Sequence, residues 1–188
     1  HIECCAIALH YLQPDSGDNY AIDIQGGGSD LIFPHHEMSA AQSRSMINQR
    51  FARTYVHTGM IGLDGEKMSK SLGNLVFVSK LISSGVNPAA IRWALMKHSY
   101  ADDLMWNSGL METAAADIDR LQLNLARMEV APTDSVIQEI LDALSSNIDT
   151  PRAIAALNGW MKETESGVTG GVAGELGRAL DTLLGITL

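Results

Sequence analysis

Cysteine is scarce in this chain, and so is any long apolar run. Cys4 and Cys5 are the only cysteines among 188 residues. Adjacent cysteines seldom bridge each other, so we exclude a disulfide framework and favour a reducing, cytoplasmic compartment. No apolar run approaches the length that spans a bilayer, and no signal peptide is recognisable from His1 onward. The sequence therefore predicts no membrane partner.

Basic residues are also few. The chain has 13 Lys and Arg residues against 22 Asp and Glu residues, which gives a formal net charge of −9. A protein that binds a long stretch of nucleic acid usually carries a basic face, whereas lysine and arginine are scattered here. The composition thus disfavours an extensive RNA interface. The abrupt start at His1, without an initiator Met, indicates part of a longer polypeptide.

The first part of the chain alternates between helix, strand and glycine-rich loop patterns. This alternation is typical of an α/β protein with a doubly wound sheet, whose ligands bind at the carboxyl ends of the strands. We predict a helix over 2–12, a turn at 14–19, a strand over Tyr20–Ile24, a loop over Gln25–Asp30, a helix over His35–Ile47 and a strand over Arg53–Ile61.

From about Ser79 the pattern changes to helices alone, and we expect no strand after about Val78. Thr133 or Asp134 is a plausible N-cap for its helix. The change predicts two domains, an α/β nucleotide-binding domain over residues 1–85 and a helical bundle over residues 86–188. The predicted helices are Pro88–His98, Asn107–Met128, Thr133–Ser145, Pro151–Lys162 and Gly171–Leu184.

Residues 64–74 form the most informative segment. Lys67 and Lys70 lie close together, with serines between and after them and Gly65 and Gly73 on either side. Such a segment cannot build a core. It is typical of a mobile loop that brings ammonium groups onto a polyphosphate, because glycine permits a hinge and lysine is a compact positive charge. The alternative is an ordinary solvated loop.

Cys4 and His35 are candidate zinc ligands, because thiolate and imidazole are the usual protein ligands of zinc. Their wide separation in the sequence does not by itself establish a site. A lone cysteine on a helix is usually a small core residue, and paired histidines such as His35 and His36 are often polar groups at a helix end.

The glycine run Gly26–Gly28, followed by Asp30, is a candidate nucleotide site. Glycines let peptide N–H groups face a nucleotide, and a carboxylate can accept hydrogen bonds from both ribose hydroxyls. A plain tight turn explains this short pattern equally well.

Taken together and in order, these segments resemble the cysteinyl-tRNA synthetase family. The chain reads HIEC at 1–4, GGGSD at 26–30, FPHHE at 33–37, VH-x-GM at 56–60 and DGEKMSKS-LGN at 64–74, and KMSKS is the signature of class I synthetases. A weaker similarity to that family's NTP-x-AI helix start lies at 147–154. The resemblance implies the C-terminal half of a Rossmann-like (HUP) catalytic domain followed by an all-α helical bundle.

The resemblance also implies site residues. Cys4 and His35 would bind a zinc ion that holds the thiolate of substrate cysteine. Asp30, with Gly27 and Gly28, would contact adenosine and its ribose. Lys67 and Lys70 would stabilise charge on the ATP phosphates, Lys70 more strongly, with Mg²⁺ accompanying ATP. By the same resemblance Lys67 and Lys70 would be the catalytic residues, Lys70 would bind ATP or the adenylate together with Gly27, Gly28 and Asp30, and Cys4 and His35 would be the metal ligands.

Two departures refine the resemblance. The synthetases carry a glutamate zinc ligand where this chain has Ser39, and usually a histidine where it has Gln25. Both changes, with the stretch at 59–65, resemble the mycothiol-biosynthesis cysteine ligases, a shortened branch that joins cysteine to the amine of glucosaminyl-inositol instead of to tRNA. A cysteinyl-tRNA synthetase fragment and a non-catalytic paralogue are the alternatives.

The chain lacks the HIGH-type ATP motif and the first zinc cysteine of the family, so we expect it to be inactive without the missing N-terminal half. Other residues have simpler interpretations. We expect Cys5 to be a buried thiol, His57 to precede a turn, His36 to support zinc or pack on its helix, and Asp102 and Asp103 to form a solvated loop. The tryptophans Trp93, Trp106 and Trp160 are expected in the core.

Overall fold

The structure, a computed structural model, describes residues 1–12 and 19–188. These residues form two compact units, one of 1–60 with 101–103 and the other of 61–100 with 104–188. The predicted boundary at residue 85 falls inside the second unit, and the functional division into two domains stays a prediction. Most of the turn predicted at 14–19 lies outside the described residues.

The first unit is a βαβ arrangement with one additional helix. Its strands β1 and β2 are parallel, with Tyr20 opposite Arg50 and Gly28 opposite Thr58. Parallel neighbours need a crossover, which here contains helix α2. The elements are α1 (Ile2–Leu12), β1 (Tyr20–Gly28), helical turns at Ser29–Leu31 and Ile32–His36, α2 (Glu37–Ile47) and β2 (Arg50–Thr58).

The glycine run lies in β1 and not in a loop, which corrects the sequence prediction. Gly26, Gly27 and Gly28 pair with Val56, His57 and Thr58 of β2. Glycine weakens a strand locally, but pairing with a neighbouring strand is decided by the tertiary structure and outweighs that propensity. Pairing with β1 also decides the ends of β2, which begins at Arg50 and ends at Thr58. Both ends lie earlier than in the predicted strand over 53–61.

Few side chains form the core of the first unit. Cys5 from α1 packs with Ile22 of β1 and with Phe51 and Ala52 of β2. Large apolar side chains elsewhere in this unit are exposed, among them Ile2, Ile7, Tyr11, Leu12, Ile24 and Phe33. The first unit thus buries little apolar surface of its own.

The second unit combines a small sheet with the predicted helices and with a short helix at Val78–Ser83 that was not predicted. Strand β3 (Ile61–Leu63) pairs with β4 (Glu66–Lys67) in antiparallel fashion and with β5 (Leu104–Trp106) in parallel. The expectation of no strand after Val78 is therefore wrong, because a three-residue strand is too short to show an alternating pattern. The helices are α3 (Val78–Ser83), α4 (Pro88–Met96), α5 (Ser108–Leu125), α6 (Thr133–Ser145), α7 (Thr150–Glu165) and α8 (Ala173–Ala179), followed by a helical turn at Leu180–Leu184.

A continuous apolar core holds these helices together. Trp93, Ile118 and Leu157 are completely buried within it, and Trp106 and Trp160 are nearly so. The predicted placement of the three tryptophans in the core is confirmed. Two buried indoles also have polar partners, since Trp93 donates to Asp117 (3.0 Å) and Trp160 to the Ala131 carbonyl (3.0 Å).

Helix caps explain where two of the helices begin. Asn87 accepts a hydrogen bond from the Ala89 N–H at α4, and Asp149 accepts one from the Arg152 N–H at α7, each with a proline in the first turn. At α6 the N-cap is Pro132, without a side-chain bond, so the expected cap by Thr133 or Asp134 is wrong. None of the helices within 1–12 and 19–188 is long and apolar enough to cross a membrane.

Candidate active site

Gly28 and Asp30, two of the predicted nucleotide ligands, lie together at the carboxyl end of β1. A Cβ on Gly28 would lie 2.7 Å from Asp30 Oδ1 and 3.1 Å from Met60 Sδ. A Cβ on Gly27 would lie 2.8 Å from Leu31 and 3.0 Å from the His36 ring. A Cβ at either glycine would displace these side chains, so the Asp30 carboxylate lies directly against the end of the strand. The roles of Gly27, Gly28 and Asp30 toward a nucleotide stay predictions.

A pair of histidines lies beside this strand end. His36 Nδ1 is 2.7 Å from His57 Nε2, and only 4% of His36 is exposed. Burial, reinforced by His57 and His35, lowers the pKa of His36 below its usual value. One ring nitrogen must donate to the other, so a neutral His36 fits this contact.

This histidine pair was not predicted from the sequence. His57 was expected only to precede a turn, and His36 to support zinc or pack on its helix. The pairing depends on the parallel register, which sets His57 opposite Gly27 and hence beside the ring that packs on Gly27. A long-range register of this kind cannot be read from residue spacing.

The predicted zinc ligands lie on separate elements of the first unit. Cys4 is on the exposed side of α1, whereas His35 is in the helical turn before α2, with its Nδ1 2.7 Å from Nδ1 of His1. Within the described ranges no group of three or more His, Cys, Asp or Glu side chains could hold a metal ion. A catalytic zinc needs three protein ligands, so the described residues do not by themselves fit a complete site.

Ser39 and Cys5 connect α2 to α1. The Ser39 hydroxyl donates to the His35 carbonyl (2.9 Å) and Ser39 is only 1% exposed, while the Cys5 thiol points at the Ser39 carbonyl (3.6 Å). Burial raises the pKa of the Cys5 thiol. The expectation that Cys5 is a buried thiol is confirmed. The side chain at position 39 is turned into the protein and bonded to the backbone.

Gln25, the other departure from the synthetases, lies one residue before the glycine run. Its side-chain Oε1 is buried and has no hydrogen-bond partner among the residues described. Buried polar atoms are usually paired, so this carbonyl oxygen is an acceptor that the surrounding protein atoms leave unused.

Asp102 and Asp103 are exposed and lie in a loop, as expected, and they also contact the end of β2. The Asp103 carboxylate accepts the Met60 N–H at 2.7 Å. A Cβ on Gly59 would lie 2.1 Å from the Asp102 carbonyl oxygen, so the two backbones approach as closely as glycine permits. Because Met60 in turn packs on Gly28, this contact helps to shape the strand end.

The lysine segment belongs to the second unit and starts from a tight hairpin. Asp64 and Gly65 both have positive φ (52° and 86°) between β3 and β4, as the asparagine- and aspartate-glycine turns of two-residue hairpins require. Lys67 ends β4, and Lys70 is exposed in the turn that follows. The structure thus places both predicted catalytic lysines on one short segment, and their catalytic role stays a prediction.

Residues 1–116 match the model of the tRNA synthetases class I (C) catalytic domain. The chain therefore belongs to this family, and the predicted class I synthetase resemblance is confirmed. Its similar relatives include proteins named L-cysteine:1D-myo-inositol 2-amino-2-deoxy-alpha-D-glucopyranoside ligase. The one from Streptomyces coelicolor is 45% identical over 191 residues, and the one from Rhodococcus erythropolis is 50% identical over 195. Both alignments cover 100% of this chain and 45% of the relative, so the chain spans about half the length of these relatives.

The fold is also similar to that of a solved synthetase. The agnB2 LeuRS of Agrobacterium radiobacter K84, in a ternary complex with tRNA and LeuAMS, matches with a TM-score of 0.66 at 17% identity. The match covers 87% of this chain and 26% of the LeuRS chain. At this identity the likeness concerns the fold alone, and it confirms the predicted α/β, Rossmann-like class.

Proposed function

We propose that this chain is part of an ATP-dependent ligase that joins L-cysteine to the amine of glucosaminyl-inositol in mycothiol biosynthesis. The observation that carries the proposal is the 45% to 50% identity, along the whole chain, to proteins named as that ligase. The enzyme would be cytoplasmic, with no tRNA and no membrane as partners.

The proposed reaction has two steps. The carboxylate of cysteine attacks the α-phosphorus of ATP, which forms cysteinyl-adenylate and releases pyrophosphate. The amine of glucosaminyl-inositol then attacks the carbonyl carbon of this mixed anhydride. The amide bond forms as the bond to AMP breaks, and the amine loses a proton. The energy of the anhydride drives the ligation, so no residue needs to act as a covalent nucleophile.

In this scheme each part of the site has a role. The end of β1, with Gly27, Gly28 and Asp30, would bind adenosine, because the Asp30 carboxylate adjoins the strand end and can accept hydrogen bonds from the ribose hydroxyls. Lys67 and Lys70 would stabilise the charge that develops on the phosphates, with Mg²⁺, and Lys70 is the stronger candidate.

Zinc is part of the proposal, with Cys4 and His35 as its candidate ligands among the described residues. A bound zinc ion would supply a soft Lewis acid that selects the thiolate of cysteine over the hydroxyl of serine. Residues 1–12 and 19–188 supply no third ligand that completes the set, so it would come from elsewhere in the protein. We therefore expect the chain alone to be inactive.

A cysteinyl-tRNA synthetase is the second candidate, favoured by the description of the matching family model. Ser39 supports the ligase instead. The synthetases place a glutamate at this position, whereas the Ser39 side chain is buried and bonded to the His35 carbonyl. A glutamate there would place a carboxylate in a buried position, which is costly without a paired cation.

The test is AMP release by the full-length enzyme, given ATP and cysteine with either glucosaminyl-inositol or tRNA. We expect AMP and an amide product, identified by mass spectrometry, only with the amino sugar. The chain of residues 1–188 alone is the control and should release no AMP. Turnover that requires tRNA would overturn the ligase proposal in favour of the synthetase.

A further inference from the structure

Asn74 closes the segment that carries the two lysines. Its side-chain Oδ1 accepts the Ser69 N–H at 2.9 Å, and its Nδ2 donates to the Lys67 carbonyl at 3.3 Å. A primary amide has both a donor and an acceptor, which is what this pair of backbone groups requires. One side chain therefore bonds both to Lys67 and to Ser69, the residue that precedes Lys70.

Lys67, whose carbonyl accepts the bond from Asn74, is itself held in a sheet. It belongs to β4 and pairs with Gly62 of β3, which in turn pairs with β5. The Lys67 carbonyl is therefore held by a sheet, and the bond from Asn74 ties the following turn to that sheet.

The other hydrogen bonds of the segment are internal to the turn. The Leu72 N–H donates to Ser69 Oγ (3.3 Å), and the Gly73 N–H donates to the Lys70 carbonyl (3.3 Å). Gly73 has φ +66° and open space around it, so it lets the chain reverse without a steric conflict. These bonds shape the turn, whereas the bonds of Asn74 connect it to β4.

We propose that Asn74 is a positioning residue, which holds the backbone of Lys67 and Lys70 in one fixed relation so that both ammonium groups meet the phosphates of ATP together. This inference rests on the proposed function. Asn74 itself touches no reacting atom in this scheme and acts through the two lysines.

The effect of replacing Asn74 on kcat and KM depends on the step at which the two lysines act. They stabilise charge that develops in the transition state, so misplacing them lowers kcat more than it raises KM. For cysteine-dependent exchange of pyrophosphate into ATP by the full-length enzyme, we expect Asn74→Ala to lower kcat by about 10- to 100-fold, the range that small misplacements of catalytic groups produce. The KM for ATP should change by less than about threefold. Asn74→Gln keeps both polar groups and should recover part of the kcat.

Asn87→Ala is the matched control. Asn87 also uses its side chain to accept a backbone N–H, from Ala89 at 2.9 Å, but it caps α4 and lies outside the lysine segment. This variant should lower the thermal midpoint and leave kcat unchanged. An equal fall in kcat for Asn87→Ala and Asn74→Ala would mean that only general stability is lost, and it would overturn the proposal.

Hydrogen exchange of the amides at 69–73 gives a second readout that does not depend on activity. In the full-length enzyme these amides should exchange faster in Asn74→Ala than in the wild type, and at the wild-type rate in Asn87→Ala. Unchanged exchange in Asn74→Ala, or faster exchange with unchanged kcat, would overturn the proposal. A wild type without cysteine-dependent pyrophosphate exchange would instead overturn the proposed function, while hydrogen exchange would still decide whether Asn74 holds the segment.

Discussion

The two units of this chain differ in how they are held together. The second unit packs its helices around a continuous core in which Trp93, Ile118 and Leu157 are fully buried. The first unit has a small core around Cys5 and Ile22 and leaves many large apolar side chains exposed. The small core belongs to the unit that carries the predicted adenosine and zinc residues. Because the first unit buries little apolar surface, individual backbone contacts must hold its residues in place. In the second unit apolar burial does this.

The largest expected effect tests the core of the second unit. Trp93→Ala removes a completely buried indole and should lower the free energy of unfolding by about 3–5 kcal/mol, from lost apolar burial and the cavity left behind. Urea denaturation of the full-length enzyme, followed by circular dichroism, measures this. Trp93→Phe is the control, because it keeps an aromatic ring in the core, although it loses the bond to Asp117 and part of the buried volume, and it should cost less than Trp93→Ala. A loss below about 1 kcal/mol for Trp93→Ala would contradict the importance of this core.

The next effect tests the close backbone contact in the first unit. Gly59→Ala would place a Cβ 2.1 Å from the Asp102 carbonyl oxygen, so the two chains must separate at an expected cost of about 1–3 kcal/mol.

Gly159→Ala is the matched change in the second unit. Gly159 lies within α7 and has nothing within 4 Å of its built Cβ, so alanine should stabilise the helix by about 0.5–1 kcal/mol. Thermal denaturation of both variants should therefore show shifts of opposite sign. Shifts of the same sign would contradict the comparison.

A smaller effect tests the Asp103 carboxylate. Asp103→Ala removes the acceptor of the Met60 N–H and should cost about 0.5–1.5 kcal/mol, the usual net value of one hydrogen bond. Asp102→Ala is the control, since Asp102 meets Gly59 through its backbone, which alanine retains. Equal losses in the two variants, measured by urea denaturation, would mean that the Asp103 side chain has no specific role.

The smallest effect is a pH dependence in the second unit. Two hydrogen bonds from Arg120 (2.7 and 2.6 Å), and one from Asn124, lower the pKa of Glu165 to about 2. A carboxyl whose pKa is lowered on folding contributes stability that is present above its unfolded pKa of 4.5 and is lost as the pH falls toward 2. Glu165→Gln should therefore flatten the stability profile between these pH values and leave its shape unchanged above about pH 6. A wild-type profile that is already flat there would contradict the prediction.

The sequence predicted the long helices better than the strands. The apolar spacing of Thr133–Ser145 reproduces α6 residue for residue, because a helix is decided by neighbours a few positions away. The strand character of Gly26–Gly28 depends on pairing with β2, and β5 is only three residues long. Neither the pairing of these glycines nor the short strand β5 can be recognised from neighbouring residues alone.

The candidate site, like the fold, could be predicted from the sequence only where its residues are close together in the chain. Lys67 and Lys70 could be singled out because they lie within one short segment. The His36–His57 contact and the Asp103–Met60 bond could not, since each joins residues far apart in the sequence. The fold class and family were available from local motifs, while the contacts that shape the site required the register of β1 on β2 and the return of the chain to residue 103.

The parallel register of β1 on β2 also limits how this protein can change over evolution. Side chains alternate between the two faces of a strand, so inserting or deleting one residue within β2 would turn His57 to the opposite face, away from His36. It would also move Gly59 off the Asp102 backbone, where only glycine fits. We therefore expect homologous sequences to vary in residue type along 50–58 but to conserve the length of this segment.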